Sequence, residues 1–416
     1  MTVQEATAVP LWQQRLRERL TAIDGAGLRR VRKTVSSTRQ VEVVVKGRSL
    51  INFCSNDYLG LASHPELVAA LQQGAARYGV GAGAAHLVSG HSEAHEALEQ
   101  ALADFTGRER ALLFSTGYMA NLGILSALAR RGDWILEDRL NHASLLDGAL
   151  LAGARLSRYP HLDVAALATR LAEQQTVNRL IVTDGVFSMD GDLAPLPELA
   201  ELSRRHEACL VVDDAHGLGV LGTSGRGSLE HHGLAPAAVP VLMGTLGKAF
   251  GTFGAFVAGS AELIDGLMQT ARTFIYTTAL PPALAVATQT SLRLVQEESW
   301  RRARLRQWIE RFRAGISASG WQAVLLDSPT PIQVLVLGDN ERVVQVGQAL
   351  EQAGFWVGVI RPPTVPDGTA RLRITFSALH SEAQVDALVT ALTQTLARFY
   401  PAGPQAGRAV ISPVDQ

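Results

Sequence analysis

The chain has 416 residues, 47% hydrophobic and 19% charged, which suits a compact protein with room for a large domain and a smaller one. Its formal net charge of -1 argues against a general field for nucleic acid, and two distant cysteines, Cys54 and Cys209, argue against a disulfide scaffold or a zinc ribbon. No uninterrupted apolar stretch reaches membrane-spanning length, so a reducing cytoplasm is the expected compartment, with neither membrane nor metal implied.

The opening segment, MTVQEATAVPLWQQRLRERL, lacks the apolar centre of a secretory signal. A basic run follows at Arg29, Arg30, Arg32 and Lys33, which spacing alone explains as well by a solvated face as by an anionic ligand. From about residue 60 to 290, short apolar runs alternate with helical periodicity, the pattern of an α/β fold on a mainly parallel sheet. Strands are predicted at 111–114, 134–137, 180–183, 210–213, 239–243 and 255–258, and helices at 92–105, 118–130 and 194–206. After Pro281 and Pro282 a charged helical stretch, ESWRRARLRQWIERFRAGI, leads to strands at 333–337, 356–360 and 372–376 and helices at 341–353 and 382–399. The expected organisation is an N-terminal helix and strand segment over 1–56, a large domain over 57–289 and an α+β domain over 290–400. A mobile tail is expected over 401–416.

Four segments carry chemistry. In ALLFSTGYMANLGIL a strand runs into Ser115, Thr116 and Gly117, which open a helix; free N–H groups there suit an anion, although any capped helix start looks the same. In ILEDRLNHASLLDG, His142 stands at the start of an apolar helix, where its ring could cover a flat ligand or simply cap the helix. In CLVVDDAHGLGV, Asp213 and Asp214 end an apolar strand, with His216 beyond. A buried carboxylate there needs a cationic partner, and the plainer alternative is an aspartate cap beside a satisfied histidine. In VLMGTLGKAFGTFG a buried-type strand enters a glycine-rich turn holding Lys248. A nucleotide loop does not fit, because two residues rather than four separate Gly244 from Gly247 and Ala249 follows the lysine. A desolvated lysine would be nucleophilic, whereas a surface turn lysine is the simpler reading of this segment taken alone. His91 and His95, four apart in HSEAH, read as a satisfied pair on an amphipathic helix rather than as metal ligands.

Taken together, NFCSNDYLGL, STGYMAN, NHASLLDG, TDGVFSMDGD, VVDDAHGLGVLG, GTLGKAFG, FIYTTALPP and IRPPTVPDGTARLRI resemble, in this order, the α-oxoamine synthases among the fold-type I pyridoxal-phosphate transferases. The resemblance runs from about Arg29 to the end of the C-terminal domain. It implies that Lys248 holds pyridoxal phosphate through a Schiff base and that Gly117, Tyr118 and Thr245 bind the phosphate. By the same resemblance, Asp213 pairs with the ring nitrogen, His216 and Ser188 lie near the phenolic oxygen, and His142 stacks on the ring. Thr277 and Thr278 would reach the phosphate of a neighbouring subunit, which implies a homodimer. Arg373 would bind the amino-acid carboxylate, for which a guanidinium fork is suited, while Arg29, Asn56 and Thr364 fall at substrate positions.

The proline-rich stretch near Thr364 resembles most the member that joins L-alanine to a pimeloyl thioester, carried by CoA or by a carrier protein, with loss of carbon dioxide. A sister synthase using glycine with acetyl-CoA or succinyl-CoA is the alternative; a non-catalytic partner subunit is the remote one, since such chains typically lose the lysine. Two departures stand out. Asp184 occupies a position where the family often has glutamate, and GAGAAHLVSG lacks the serine or threonine often found before His86.

Overall fold

The computed structural model describes residues 9–38, 40–173 and 177–403. The expected tail lies outside the described residues from position 404 onward. Strands in chain order are β1 (Glu42–Val45), β2 (Arg48–Phe53), β3 (Arg110–Phe114), β4 (Trp134–Asp138), β5 (Arg155–Tyr159), β6 (Arg179–Asp184), β7 (Cys209–Asp213), β8 (Val241–Thr245), β9 (Ala255–Gly259), β10 (Ile332–Gly338), β11 (Phe355–Ile360) and β12 (Ala370–Thr375).

A seven-stranded sheet has the order β3-β9-β8-β7-β6-β4-β5. Strands β8, β7, β6, β4 and β5 run parallel, and β9 runs against both of its neighbours, β3 and β8. The interior strands are continuous apolar runs because helices cover both faces; β4, β6 and β9 are buried along their whole length. β5, RLSRY, is the exception. It lies at the sheet edge and carries two arginines and a serine, so a search for apolar runs passes over it. The predicted strand at 239–243 starts instead at Val241, because Pro240 has no N–H to give to the ladder. The helix expected from residue 194 begins at Leu196, after Pro195.

The second sheet, β1-β2-β11-β12-β10, joins the N-terminal strand pair to the C-terminal strands. β2 adds parallel to β11, and Trp356 packs beside Val43, Val45 and Leu50. Along β12 the two-residue period puts Leu372 and Ile374 into the apolar core and turns Arg371 and Arg373 towards residues 188–190. Arg371 is ion-paired with Asp190 at 2.5 Å, and Arg373 Nε donates to the Ser188 carbonyl at 2.6 Å. These two contacts tie the small sheet to the loop that follows β6.

His91 is not on a helix. It precedes Ser92, the N-cap of the helix Glu93–Thr106, and His95 completes a capping box by accepting the Ser92 N–H at 3.0 Å. No helix among the described residues is long and apolar enough to cross a membrane.

Leu372 is fully buried on β12, an interior strand of the second sheet. Replacing it with alanine removes packing that its neighbours cannot refill, at a cost of about 2–5 kcal/mol. Leu372→Ala is expected to lower the thermal unfolding midpoint of the purified protein by several degrees; an unchanged midpoint would mean that this core does not limit stability.

Candidate active site

The carboxyl ends of β3, β4, β6, β7 and β8 face a cavity of about 390 Å³, the position where open α/β sheets bind ligands. The adjacent aspartates at the end of β7 point to different environments. Asp214 is directed into the protein, where it accepts from Ser228 Oγ at 2.5 Å and Ser228 N at 2.8 Å; burial pushes its carboxyl up to about 7. Asp213 lines the cavity. Its Oδ1 accepts from the Ala215 N–H at 3.0 Å and its Oδ2 from Asn121 Nδ2 at 2.7 Å. Asn121 also donates to Ser144 Oγ at 2.8 Å, and Ser144 Oγ lies 2.7 Å from His142 Nδ1. One chain of polar contacts therefore orients both Asp213 and the imidazole at the mouth of the helix Ala143–Ala152.

Lys248 sits in the turn after β8, with Nζ 2.9 Å from His216 Nε2. The other nitrogen of His216, Nδ1, is 2.7 Å from the hydroxyl of Tyr58, which is fully buried. Burial lowers the pKa of Lys248, an effect that the charges of Asp213 and Asp184 oppose. Burial, then the charge of Lys248, also pushes His216 well below the usual imidazole range. Both shifts favour a neutral imidazole against a readily deprotonated amine. Asp184 accepts the backbone N–H of His142 at 2.7 Å, and burial followed by the charge of Asp213 raises its pKa well above the usual carboxylate range.

The helix Gly117–Leu128 also begins at this cavity. Thr116 caps it by accepting the Met119 N–H at 3.2 Å. A Cβ on Gly117 would come within 2.9 Å of Thr245 Cγ2, so only glycine lets this turn lie against β8. Thr245 Oγ1 is buried with no hydrogen-bond partner, and among the described residues the N–H groups of Gly117 and Tyr118 find no acceptor. Unmet donors at a helix N-terminus form an anion site. Pyridoxal phosphate fits this donor set: a phosphate suits the helix start, a protonated ring nitrogen suits Asp213, and an amine between them suits an aldehyde.

Of the residues singled out from sequence, Asn56, Gly117, Tyr118, His142, Ser188, Asp213, His216, Thr245 and Lys248 all line this cavity. Arg373 stands behind it, with Nη2 3.2 Å from Asn56 Oδ1. Thr364 lines a neighbouring cavity of about 770 Å³ that shares His142 and Ser188 with the first. Arg29 reaches neither cavity; it pairs with Asp24 at 3.0 Å on the surface, and Arg30 is the residue that approaches Thr364, at 3.4 Å. Thr277 and Thr278 lie outside this chain's own cavity lining, where Thr278 bridges to Ala85. Sequence reading missed Asn121, Ser144 and Tyr58. Asn121 follows Gly117 by one helical turn, and that spacing is the signal that could have found it.

The sequence pattern of the aminotransferase class I and II family matches residues 48–392. The 8-amino-7-oxononanoate synthase of Methylococcus capsulatus is 62% identical over 367 residues, covering 88% of this chain and 94% of that protein. The synthase of the same name from Nitrosococcus oceani is 58% identical over 381 residues, covering 92% of this chain and all of that one. Among solved structures, the serine palmitoyltransferase of Sphingomonas wittichii superposes with a TM-score of 0.89 at 32% identity, covering 95% of this chain and 100% of that one. The 8-amino-7-oxononanoate synthase of Francisella tularensis gives 0.74 at 31% identity, covering 84% and 99%. A serine palmitoyltransferase structure with its pyridoxal phosphate bound gives 0.88 at 31% identity, covering 94% and 99%. The chain belongs to the class I and II aminotransferase family, as a pyridoxal-phosphate enzyme of fold type I grouped with the 8-amino-7-oxononanoate synthases.

Proposed function

We propose that this chain condenses L-alanine with a pimeloyl thioester, releasing carbon dioxide and the free thiol and giving 8-amino-7-oxononanoate for biotin synthesis in the cytoplasm. The observation that carries the reading is Lys248, placed beside His216 and in one cavity with Asp213 and the unmet donors of Gly117, Tyr118 and Thr245. When bound there, pyridoxal phosphate supplies an electron sink conjugated to the amino acid's Cα. Asp213 balances the charge of the ring nitrogen, and Asn121 holds that carboxylate in place. His142 covers the ring face, with its orientation set by Ser144. Ser188 and His216 attend the phenolic side.

Lys248 would anchor the cofactor and, as a free amine, would accept the Cα proton; burial lowers its pKa, which favours the neutral amine for that transfer. Arg373 binds the alanine carboxylate near Asn56. The new carbon–carbon bond joins Cα to the acyl carbonyl, the thiolate leaves and takes up a proton, and the carboxylate departs as carbon dioxide while a proton, available from Lys248, takes its place on Cα. Thr364 flanks the acyl side of the site. Thr277 and Thr278 serve the phosphate of a second subunit in a homodimer, a role supported by their position outside this chain's own cavity. Arg29, which lines neither cavity in the single chain and pairs with Asp24 there, would complete a substrate site in the assembled protein.

Purified holoenzyme supplied with alanine and pimeloyl-CoA should release CoA and form a product with the mass of 8-amino-7-oxononanoate. Faster turnover of glycine with acetyl-CoA or succinyl-CoA would move the chain to a sister activity. Arg373→Ala should raise KM for alanine on the order of 10- to 100-fold, the worth of a charge-assisted hydrogen bond, while keeping the visible absorbance of the bound cofactor. An unaltered KM would remove Arg373 from amino-acid binding.

A further inference from the structure

We propose that the guanidinium of Arg139 anchors the distal carboxylate of the acyl chain, which makes it the residue that selects a dicarboxylic acyl group. The proposal rests on the condensation reading above and names the acyl subsite. The second cavity, about 770 Å³, adjoins the first and shares His142 and Ser188 with it, which puts it beside the place where an acyl carbonyl would meet the amino acid. Leu140, Leu146, Met189, Val365 and Pro366 give that cavity apolar walls suited to a polymethylene chain.

Its charge comes from three arginines, Arg139, Arg158 and Arg371, against a single acid, Asp190. Arg371 is already neutralised, since its Nη1 lies 2.5 Å from Asp190. Arg158 stands 3.8 Å from the buried carboxylate of Glu137 and donates to the Arg139 carbonyl. The guanidinium of Arg139 has neither a carboxylate nor a hydrogen-bond acceptor among the described residues, although the residue is half-buried. An unpaired cation lining a cavity with apolar walls is a site for an anion, and a fork of donors suits a carboxylate. Arg139 immediately follows β4 and shares a loop with His142, so the loop that places the imidazole in the reaction site also sets the distance to the anchor.

The test compares chain ends of different charge on the holoenzyme. Arg139→Met keeps a long apolar stem and removes the charge, and Arg139→Lys restores the charge without the fork. With alanine as co-substrate, Arg139→Met should lose on the order of 10- to 100-fold in kcat/KM for pimeloyl-CoA, chiefly through KM, and Arg139→Lys should recover part of it. The KM for alanine and the cofactor's visible absorbance should stay as in the wild type. A second measurement uses inhibition by 8-amino-7-oxononanoate and by its methyl ester. Wild type should prefer the free carboxylate, and Arg139→Met should bind the two alike. Equal preference in the wild type, or a preference that survives Arg139→Met, overturns the proposal. Wild-type enzyme that turns over neither pimeloyl-CoA nor the pimeloyl-carrier protein with alanine overturns the underlying reaction instead, a result distinguishable because the variants are not needed to obtain it.

Discussion

A carboxylate held out of water at the end of a buried strand is the constraint on which this site depends. Asp213 is 3% exposed, and an anion so placed is costly unless a cation or several donors answer it. The protein supplies donors from Ala215 and Asn121 but no arginine or lysine in direct contact among the described residues. That partial satisfaction is a structural reason to expect a cationic ligand. A protonated pyridine ring would supply the missing charge, and the surrounding polar chain through Ser144 to His142 is in place around it.

The same low-dielectric surroundings govern the amine. In water Lys248 would remain protonated and inert, whereas here burial weakens its hold on the proton. His216 and Tyr58 give it a hydrogen-bonded neighbour that carries no competing charge, because burial also disfavours the imidazolium. Asp184 lines the same cavity, where burial raises its carboxyl above the usual carboxylate range and one oxygen accepts the His142 backbone N–H. The shorter side chain at this position is thus compatible with the loop carrying His142 and Arg139.

Much of the sheet was legible from sequence because strands covered on both faces are unbroken apolar runs, as in β4, β7 and β9. The edge strand β5 was not, since its polar residues face solvent and neighbouring loops. Nor was the union of β1 and β2 with the C-terminal strands, a long-range pairing that leaves no mark in local periodicity. In the site, Lys248, Asp213 and the Gly117 turn stood out because each pairs an unusual residue with a strand end. Tyr58 could not, as a buried tyrosine in an apolar run looks like core until His216 is seen beside it. Arg139 was hidden for a related reason: its significance comes from the absence of a partner, and only the folded chain assigns partners to Arg158 and Arg371.

The central claim is that the amine of residue 248 bonds the cofactor's aldehyde. Lys248 is one of three lysines in the sequence, with Lys33 and Lys46, so the claim can be read directly from a peptide map. Borohydride reduction of the holoenzyme followed by peptide mass spectrometry should place the added phosphopyridoxyl mass on the peptide containing Lys248. The same mass on Lys33 or Lys46, with Lys248 unmodified, would contradict the account.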